Sequence, residues 1–501
     1  MTPTTAAKPT QPTQPTAASQ SLTQAEQLRR SPAVQGAISA IVSELRARQS
    51  KINDVRGPLN PAMAQSYQQF LESITDARGR ALLYPYIGSG LGNGPWVELA
   101  DGSVKLDMIT GIGVQFFGHS EPDLVQTALE AATGDVVMQG HLQANEDAFR
   151  FAETLLEQAK RCSRLAHVFL CNSGVMANEN ALKVCFQKHA PASRVIAFAD
   201  CFMGRSWSMA QIGDSAANRQ GIPLNTLVDY VPFFNAAAAK QAGGDKSGAT
   251  RAIDAAVKRL REYIDRYPQQ HGCFIFELVQ GEGGFNTAPP AFFKELMTVC
   301  REAGIAVWVD EVQTFGRTPS MFAFESMGLG DFVDVSCVGK MTQVCAALYT
   351  ADYNPKAGLL GATFLGSTEA ARVGRRVVER LRDGDYYGPR GRIARHHEAF
   401  VKQVRALAAK HPEWFPASPD VDDIAGGTGG MMRFTPFGGK KDAVTKLCRV
   451  LFDKGLIAFY CGHGPYHIRM LPPLGVLEES IWPKVFSLIE AGMSACVSSE
   501  K

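Results

Sequence analysis

No apolar run in the chain reaches the roughly 18 residues that a membrane-spanning helix needs, so no membrane span is expected. Charge of one sign is also missing. The formal net charge is +2, which gives no reason to expect a nucleic-acid partner or an anionic membrane surface. C-x-x-C pairs are absent: the eleven cysteines, Cys162, Cys171, Cys185, Cys201, Cys273, Cys300, Cys337, Cys345, Cys448, Cys461 and Cys496, are scattered, several of them inside apolar runs such as HVFLC and CFIF. That usage, with its odd count, predicts free buried thiols in a reducing cytosol rather than disulfides or a metal site, and hence a cytoplasmic protein. The first twenty residues, MTPTTAAKPTQPTQPTAASQ, hold neither the apolar stretch of a secretory signal nor the arginines of an organelle transit peptide. Residues 1–21 read as a disordered tail.

What is present is an ordinary globular balance, 45% hydrophobic and 20% charged over 501 residues, too long for a single core. Between residues 22 and 69 apolar residues recur at three- and four-residue spacing, which predicts helix. IGSGLGNGP reads as loop, and WVELADGSVKLDMI as a hairpin turning at Asp101-Gly102. Then seven short apolar runs alternate with helical stretches: HVFLC, RVIAF, LVDYV, CFIF, IAVWV, VDVSCV and AALYT. This pattern predicts an α/β domain, residues 105–385, around a seven-stranded, mostly parallel sheet covered on both faces. A helix through HHEAFVKQVRALAAKH, short strands at MMRF, LIAF and HIRML, and a closing helix predict a smaller α+β domain over 386–501, completed by residues 22–104. The basic stretch GPRGRIARHH reads as a solvated helix end.

Ligands of open α/β sheets collect at the carboxyl ends of strands. CFIF is followed by Glu277, IAVWV by Asp310, VDVSCV by Gly339-Lys340, and HVFLC by Asn172-Ser173-Gly174. Two acids, a lysine and a Ser-Gly turn thus converge on one rim, a set suited to a cofactor whose aldehyde needs a lysine and whose ring nitrogen needs an acid. The turn before MANENALKVCFQKH offers free N–H groups to a phosphate, or is simply a helix cap.

FELVQGEGGF, then VWVDEVQTFGRT and VGK at intervals of about thirty residues, resemble the fold type I, class III aminotransferases. LCNSGVMANENALK is similar to that family's phosphate-cup segment and CFMGRS to its aromatic-His-Gly-Arg segment. GLIAFYCGHGPYHIRMLPPL is similar to its carboxylate-binding segment, and ADGSVKLDMITGIGVQFFGHSEP to its first hairpin. The resemblance spans residue 85 to the C-terminus and implies a pyridoxal-phosphate enzyme. On it, Lys340 would carry the cofactor and Asp310 would pair with its ring nitrogen. Gln313 would meet the phenolic oxygen, with Val312 and Phe202 on the two ring faces. Ser173, Gly174 and Val175 would take the phosphate, joined by Thr363 of GATFLGS from a neighbouring subunit, so that a homodimer is implied. Glu282 and Arg469 resemble a glutamate–arginine switch between ω-amino donor and 2-oxo acid, and Arg205 aligns with an arginine for a distal carboxylate. Glu277 would support the site from behind.

The chain departs from the family at Met176, usually Glu, and at Met203, usually His. After the lysine, KMTQVCAAL replaces a glycine-rich run and is similar to lysine 6-aminotransferases, while NENALK is similar to both these and the animal-type 4-aminobutyrate aminotransferases. The resemblance therefore implies transfer of a terminal amino group from a lysine- or 4-aminobutyrate-like donor to 2-oxoglutarate, giving a semialdehyde and glutamate. An acetylornithine/ornithine-type enzyme, an aminomutase of the same fold and a non-catalytic sensor are the alternatives. No motif recruits His119, His141 or His463, which read as structural.

Overall fold

The computed structural model describes residues 22–140, 142–242 and 245–498. The tail expected over 1–21, and His141, lie outside the described residues. All seven apolar runs form strands of one sheet: β1 (Leu165–Cys171), β2 (Arg194–Phe198), β3 (Leu227–Val231), β4 (His271–Phe276), β5 (Ala306–Glu311), β6 (Val335–Val338) and β7 (Cys345–Thr350). Their order is β1-β7-β6-β5-β4-β2-β3. Every neighbour pair is parallel except those of β7, which runs antiparallel to both β6 and β1.

Alternation along each strand feeds two separate cores. Ile196, Phe198, Phe274, Phe276, Val307 and Val309 join one, and Val195, Ala197, Cys273, Ile275, Ala306 and Trp308 join the other. With both faces covered, β4 to β7 are buried at every residue. The first core is aromatic, with Phe276 stacked on Phe293 at 5.9 Å and Phe198 on Phe292 at 5.6 Å. All eleven cysteines are free thiols, and ten are buried.

The hairpin forms as expected, Trp96–Leu99 pairing with Val104–Asp107. Gly88–Asn93, read from sequence as loop, is instead a third strand, antiparallel to Trp96–Leu99. Its Gly- and Ser-rich residues show no alternation because pairing comes from backbone hydrogen bonds, and Gly88 to Gly90 stay exposed. The helical region before it is three helices, Gln24–Arg30, Pro32–Gln49 and Pro61–Arg78, interrupted where Gly57-Pro58 breaks the pattern. Leu456–Ile457 adds in parallel to Val104–Asp107, so the two ends of the chain share a sheet. A second four-stranded sheet joins Ala425–Thr428, Met431–Phe434, His467–Met470 and Phe459–Cys461.

Helix Arg392–Lys410 carries the basic stretch, which is not wholly solvated. His396 is buried and accepts a 3.1 Å hydrogen bond from Trp482 Nε1, and burial pushes its imidazole down to about 4. His119 is buried against Asp107, 3.0 Å away, and that carboxylate also caps the backbone of Ile109 and Thr110. His463 is exposed. Among the described residues no helix is long and apolar enough to cross a membrane, and no group of residues is arranged to hold a metal ion.

Candidate functional site

Parallel strands deliver Asp310, Glu277 and Lys340 to one rim. Cys337 pairs in register with Asp310, and two residues later the backbone turns at Gly339 into Lys340. Lys340 takes a left-handed φ of 54°, a conformation that side-chain-bearing residues rarely adopt and that clusters at functional sites. Burial pushes its ammonium below the usual lysine range, against the opposing pull of Asp310, Glu282 and Glu277.

Asp310 is buried, and both carboxylate oxygens are held by neutral donors. Asn178 Nδ2 donates to Oδ2 and the Val312 N–H to Oδ1, each at 2.8 Å. Burial raises its pKa, and these hydrogen bonds and Lys340 lower it only in part. Asn178 was not singled out from sequence, although a signal existed. Asn178, Ala181, Leu182 and Cys185 lie on the buried face of helix Gly174–Lys188, where a polar residue needs a polar partner. Its amide also donates to the Met203 carbonyl at 2.9 Å, and its own oxygen is buried without a partner. Met203, where a histidine was the family expectation, is buried in the second core, whereas Met176 is 40% exposed.

The Ser173 hydroxyl caps that helix by accepting from the Met176 N–H at 3.4 Å. The turn is pressed against Val312: a methyl on Gly174 would lie 2.8 Å from Val312 Cγ1, so only glycine fits. Gln313 lies equally close to Gly281, where a methyl would fall 2.5 Å from Gln313 Oε1, and that oxygen is buried with no hydrogen-bond partner. Phe202 lies beneath the exposed Arg205, whose guanidinium carbon is 5.2 Å from the ring centroid.

Glu282 and Arg469 meet as an ion pair. Arg469 Nη2 donates to Glu282 Oε1 at 2.6 Å and Nη1 to the Gly281 carbonyl at 3.2 Å. The arginine side chain is 0% exposed and the glutamate's 29%, so the carboxylate is the solvent-side partner. Phe285 and Phe459 flank the guanidinium at 5.7 and 5.3 Å. Thr363 is not brought to this rim by its own chain. It is exposed at the start of a two-stranded ribbon, Phe364–Ser367 with Val137–Gln139, and its carbonyl accepts from the Gly140 N–H at 3.2 Å.

The profile of the family described as aminotransferase class-III matches residues 86–491. Acetylornithine aminotransferase of Bacillus anthracis is 28% identical over 407 residues, covering 79% of this chain and 92% of that protein. That of Mesorhizobium japonicum is 30% identical, covering 78% and 89%. Among solved structures, a lysine aminotransferase from M. tuberculosis superposes with a TM-score of 0.73 at 21% identity, covering 85% of this chain and 99% of that one. The ornithine aminotransferase from Toxoplasma gondii gives 0.70 at 20% identity, covering 89% and 100%. At such identity the two structures speak for the fold.

Proposed function

The chain belongs to the class III aminotransferases, and on that premise we propose that it is an ω-aminotransferase taking a terminal amino group from a lysine- or 4-aminobutyrate-like donor to 2-oxoglutarate. The observation that carries the reading is the wholly buried Arg469 closed by the partly exposed Glu282. An arginine whose charge is neutralised by a displaceable carboxylate suits two substrates in turn. With Glu282 in place, the pocket accepts the uncharged alkylamine end of an ω-amino donor. With Glu282 swung away, the guanidinium grips the α-carboxylate of the 2-oxo acid in a bidentate pair. Arg205, exposed over Phe202, would take the distal carboxylate.

The rim fits pyridoxal phosphate. Asp310 is a buried carboxylate with only neutral donors, which suits a protonated ring nitrogen, and the orphaned amide oxygen of Gln313 marks a side chain that lacks its polar partner. Ser173, Gly174 and Val175, at the helix N-terminus, would hold the phosphate. Val312 and Phe202 would face the ring. When bound, the cofactor supplies an electron sink for the donor's reacting carbon. Lys340, its ammonium weakened by burial, would hold the aldehyde, then take the proton off that carbon and deliver it to the cofactor's own carbon. The large domain would span 105–385, with 22–104 and 386–501 forming the smaller one. A second copy of the chain would bring its Thr363 to the phosphate. Val136, Val137, Leu142 and Phe364, 47–94% exposed around the ribbon, are the apolar surface such a copy would cover.

A second reading, an acetylornithine-type enzyme, is favoured by the names of the sequence relatives. A panel of lysine, 4-aminobutyrate, ornithine and acetylornithine against 2-oxoglutarate, scored by glutamate formed, separates the two. The first reading requires the highest kcat/KM with lysine or 4-aminobutyrate. An acetylornithine preference would replace it, and no glutamate from any donor would sink both.

A further inference from the structure

We propose that Glu277 is a positioning residue: its carboxylate locks together the loop that carries Phe202 and the loop that carries Glu282. Glu277 is the first residue beyond β4 and is buried. Its Oε2 accepts from the Phe202 N–H at 3.1 Å and its Oε1 from the Gly281 N–H at 2.9 Å. Neither oxygen has a cationic partner.

A carboxylate in that setting is unfavourable in itself, and burial together with the charge of Asp310 pushes its pKa up to about 8. A neutral side chain would be easier to bury. Among side chains of this length, however, only a carboxylate presents two acceptor oxygens, because the Gln amide replaces one of them with an NH2 donor. Two N–H donors on two different loops therefore explain why an acid stands here.

The joined loops are anchored elsewhere as well. Asn178 Nδ2 holds the carbonyl of Met203, next to Phe202, and the Gly462 N–H donates to the carbonyl of Glu282 at 2.9 Å. Gln280 Nε2 also crosses between the loops, donating to the Ala199 carbonyl at 2.6 Å, but Glu277 is the side chain that accepts from a backbone N–H of each. Any displacement of its two oxygens moves Phe202 and Glu282 together, which couples cofactor seating to the state of the switch. This inference rests on the proposed roles of Phe202 and Glu282.

The test compares wild type with Glu277→Gln, Glu277→Asp and Asp334→Asn. Asp334 is a largely buried carboxylate at the opposite rim, hydrogen-bonded to the Val307 N–H and to Arg164. Three quantities are measured: the Kd of pyridoxal phosphate for cofactor-stripped protein by fluorescence titration, the rates of the two half reactions with an ω-amino donor and with glutamate, and Tm. Gln leaves one N–H facing an NH2, and Asp reaches only one loop. Losing one of the two buried hydrogen bonds, with an N–H left unsatisfied, should raise Kd by about tenfold. The ω-donor half reaction should slow more than the glutamate one, since only the former needs Glu282 in place. Asp334→Asn should lower Tm and leave Kd and the ratio of half reactions unchanged. The proposal is overturned if both Glu277 variants keep the wild-type Kd and ratio, or if neither folds, since the carboxylate would then serve the fold alone. A wild-type protein that binds no pyridoxal phosphate would instead overturn the functional reading beneath it.

Discussion

Asp229, midway along β3, is held by Arg194 and His271 at the amino ends of β2 and β4, through two hydrogen bonds from the first and one from the second, all at 2.8 Å. At the carboxyl rim, Asp310 is held by an amide and a backbone N–H. The two aspartates are equally buried, 7% and 6% exposed. Yet Arg194 and His271 outweigh burial and hold Asp229 below the usual carboxylate range, whereas burial prevails at Asp310 and raises it. Glu277 and Glu311, pushed up to about 8 and about 7, sit at the same rim as Asp310. The sheet thus compensates the buried charge of Asp229 and leaves those of Asp310, Glu277 and Glu311 uncompensated. Stability alone would favour the first arrangement throughout, and the second coincides with the rim proposed above to take the cofactor.

The comparison can be broken in four places. Lys340→Ala should abolish transamination, because no other lysine stands at the strand end beside Asp310. Borohydride reduction followed by mass spectrometry should find the cofactor adduct on Lys340 in wild type, and an adduct elsewhere would refute the assignment.

Asp310→Asn should lower kcat by at least on the order of a hundredfold, since an amide cannot stabilise a protonated ring by charge. Asp229→Asn, its counterpart on β3, should instead lower Tm and leave kcat near wild type. Equal effects on kcat would erase the distinction between the two aspartates.

Glu282→Ala leaves Arg469 unpaired when an ω-amino donor binds. Stranding a buried charge costs on the order of 2–5 kcal/mol. The half reaction with that donor should therefore fall steeply while the glutamate half reaction is kept or improved. Stopped-flow absorbance follows each separately, and equal slowing would reduce Glu282 to a shape-determining role.

The smallest effect is on stability. Because Glu277 and Glu311 have raised pKa values in the fold, the folded chain retains protons that the unfolded chain has already released above about pH 4.5. Their contribution to stability must then decline as pH rises from about 4.5 to about 8, by on the order of 1 kcal/mol per pH unit per group at most. Urea titration of cofactor-stripped protein across that window should show a decline that is shallower in Glu277→Gln. Asp229 acts in the opposite sense, losing its contribution only as pH falls below the usual carboxylate range.

Much of this contrast was legible in the sequence. The seven strands announced themselves as apolar runs because a sheet covered on both faces needs no alternation, and the residue after each run located Glu277, Asp310 and Lys340. What stayed hidden has a common cause: it depends on backbone partners or on distance along the chain. Gly88–Asn93 pairs through its backbone, so its side chains carry no pattern. Glu277 reaches a donor 75 residues earlier, and Asn178 an acceptor 132 residues later. The role proposed for Thr363 depends on a second copy, which no pattern within one chain displays.

The hydroxyl of Tyr84 donates to the carbonyl of Ala458, 374 residues later, beside the strand in which Leu456–Ile457 completes the N-terminal hairpin sheet. During synthesis at roughly 5–20 residues per second, that sheet waits about 20 to 75 s for its last strand to emerge from the ribosome. Meanwhile Trp96, Val104 and Leu106, buried in the finished molecule, have no final cover. The first segment made is therefore among the last to be finished, and a nascent chain arrested before residue 456 should be a better chaperone client than one arrested after it.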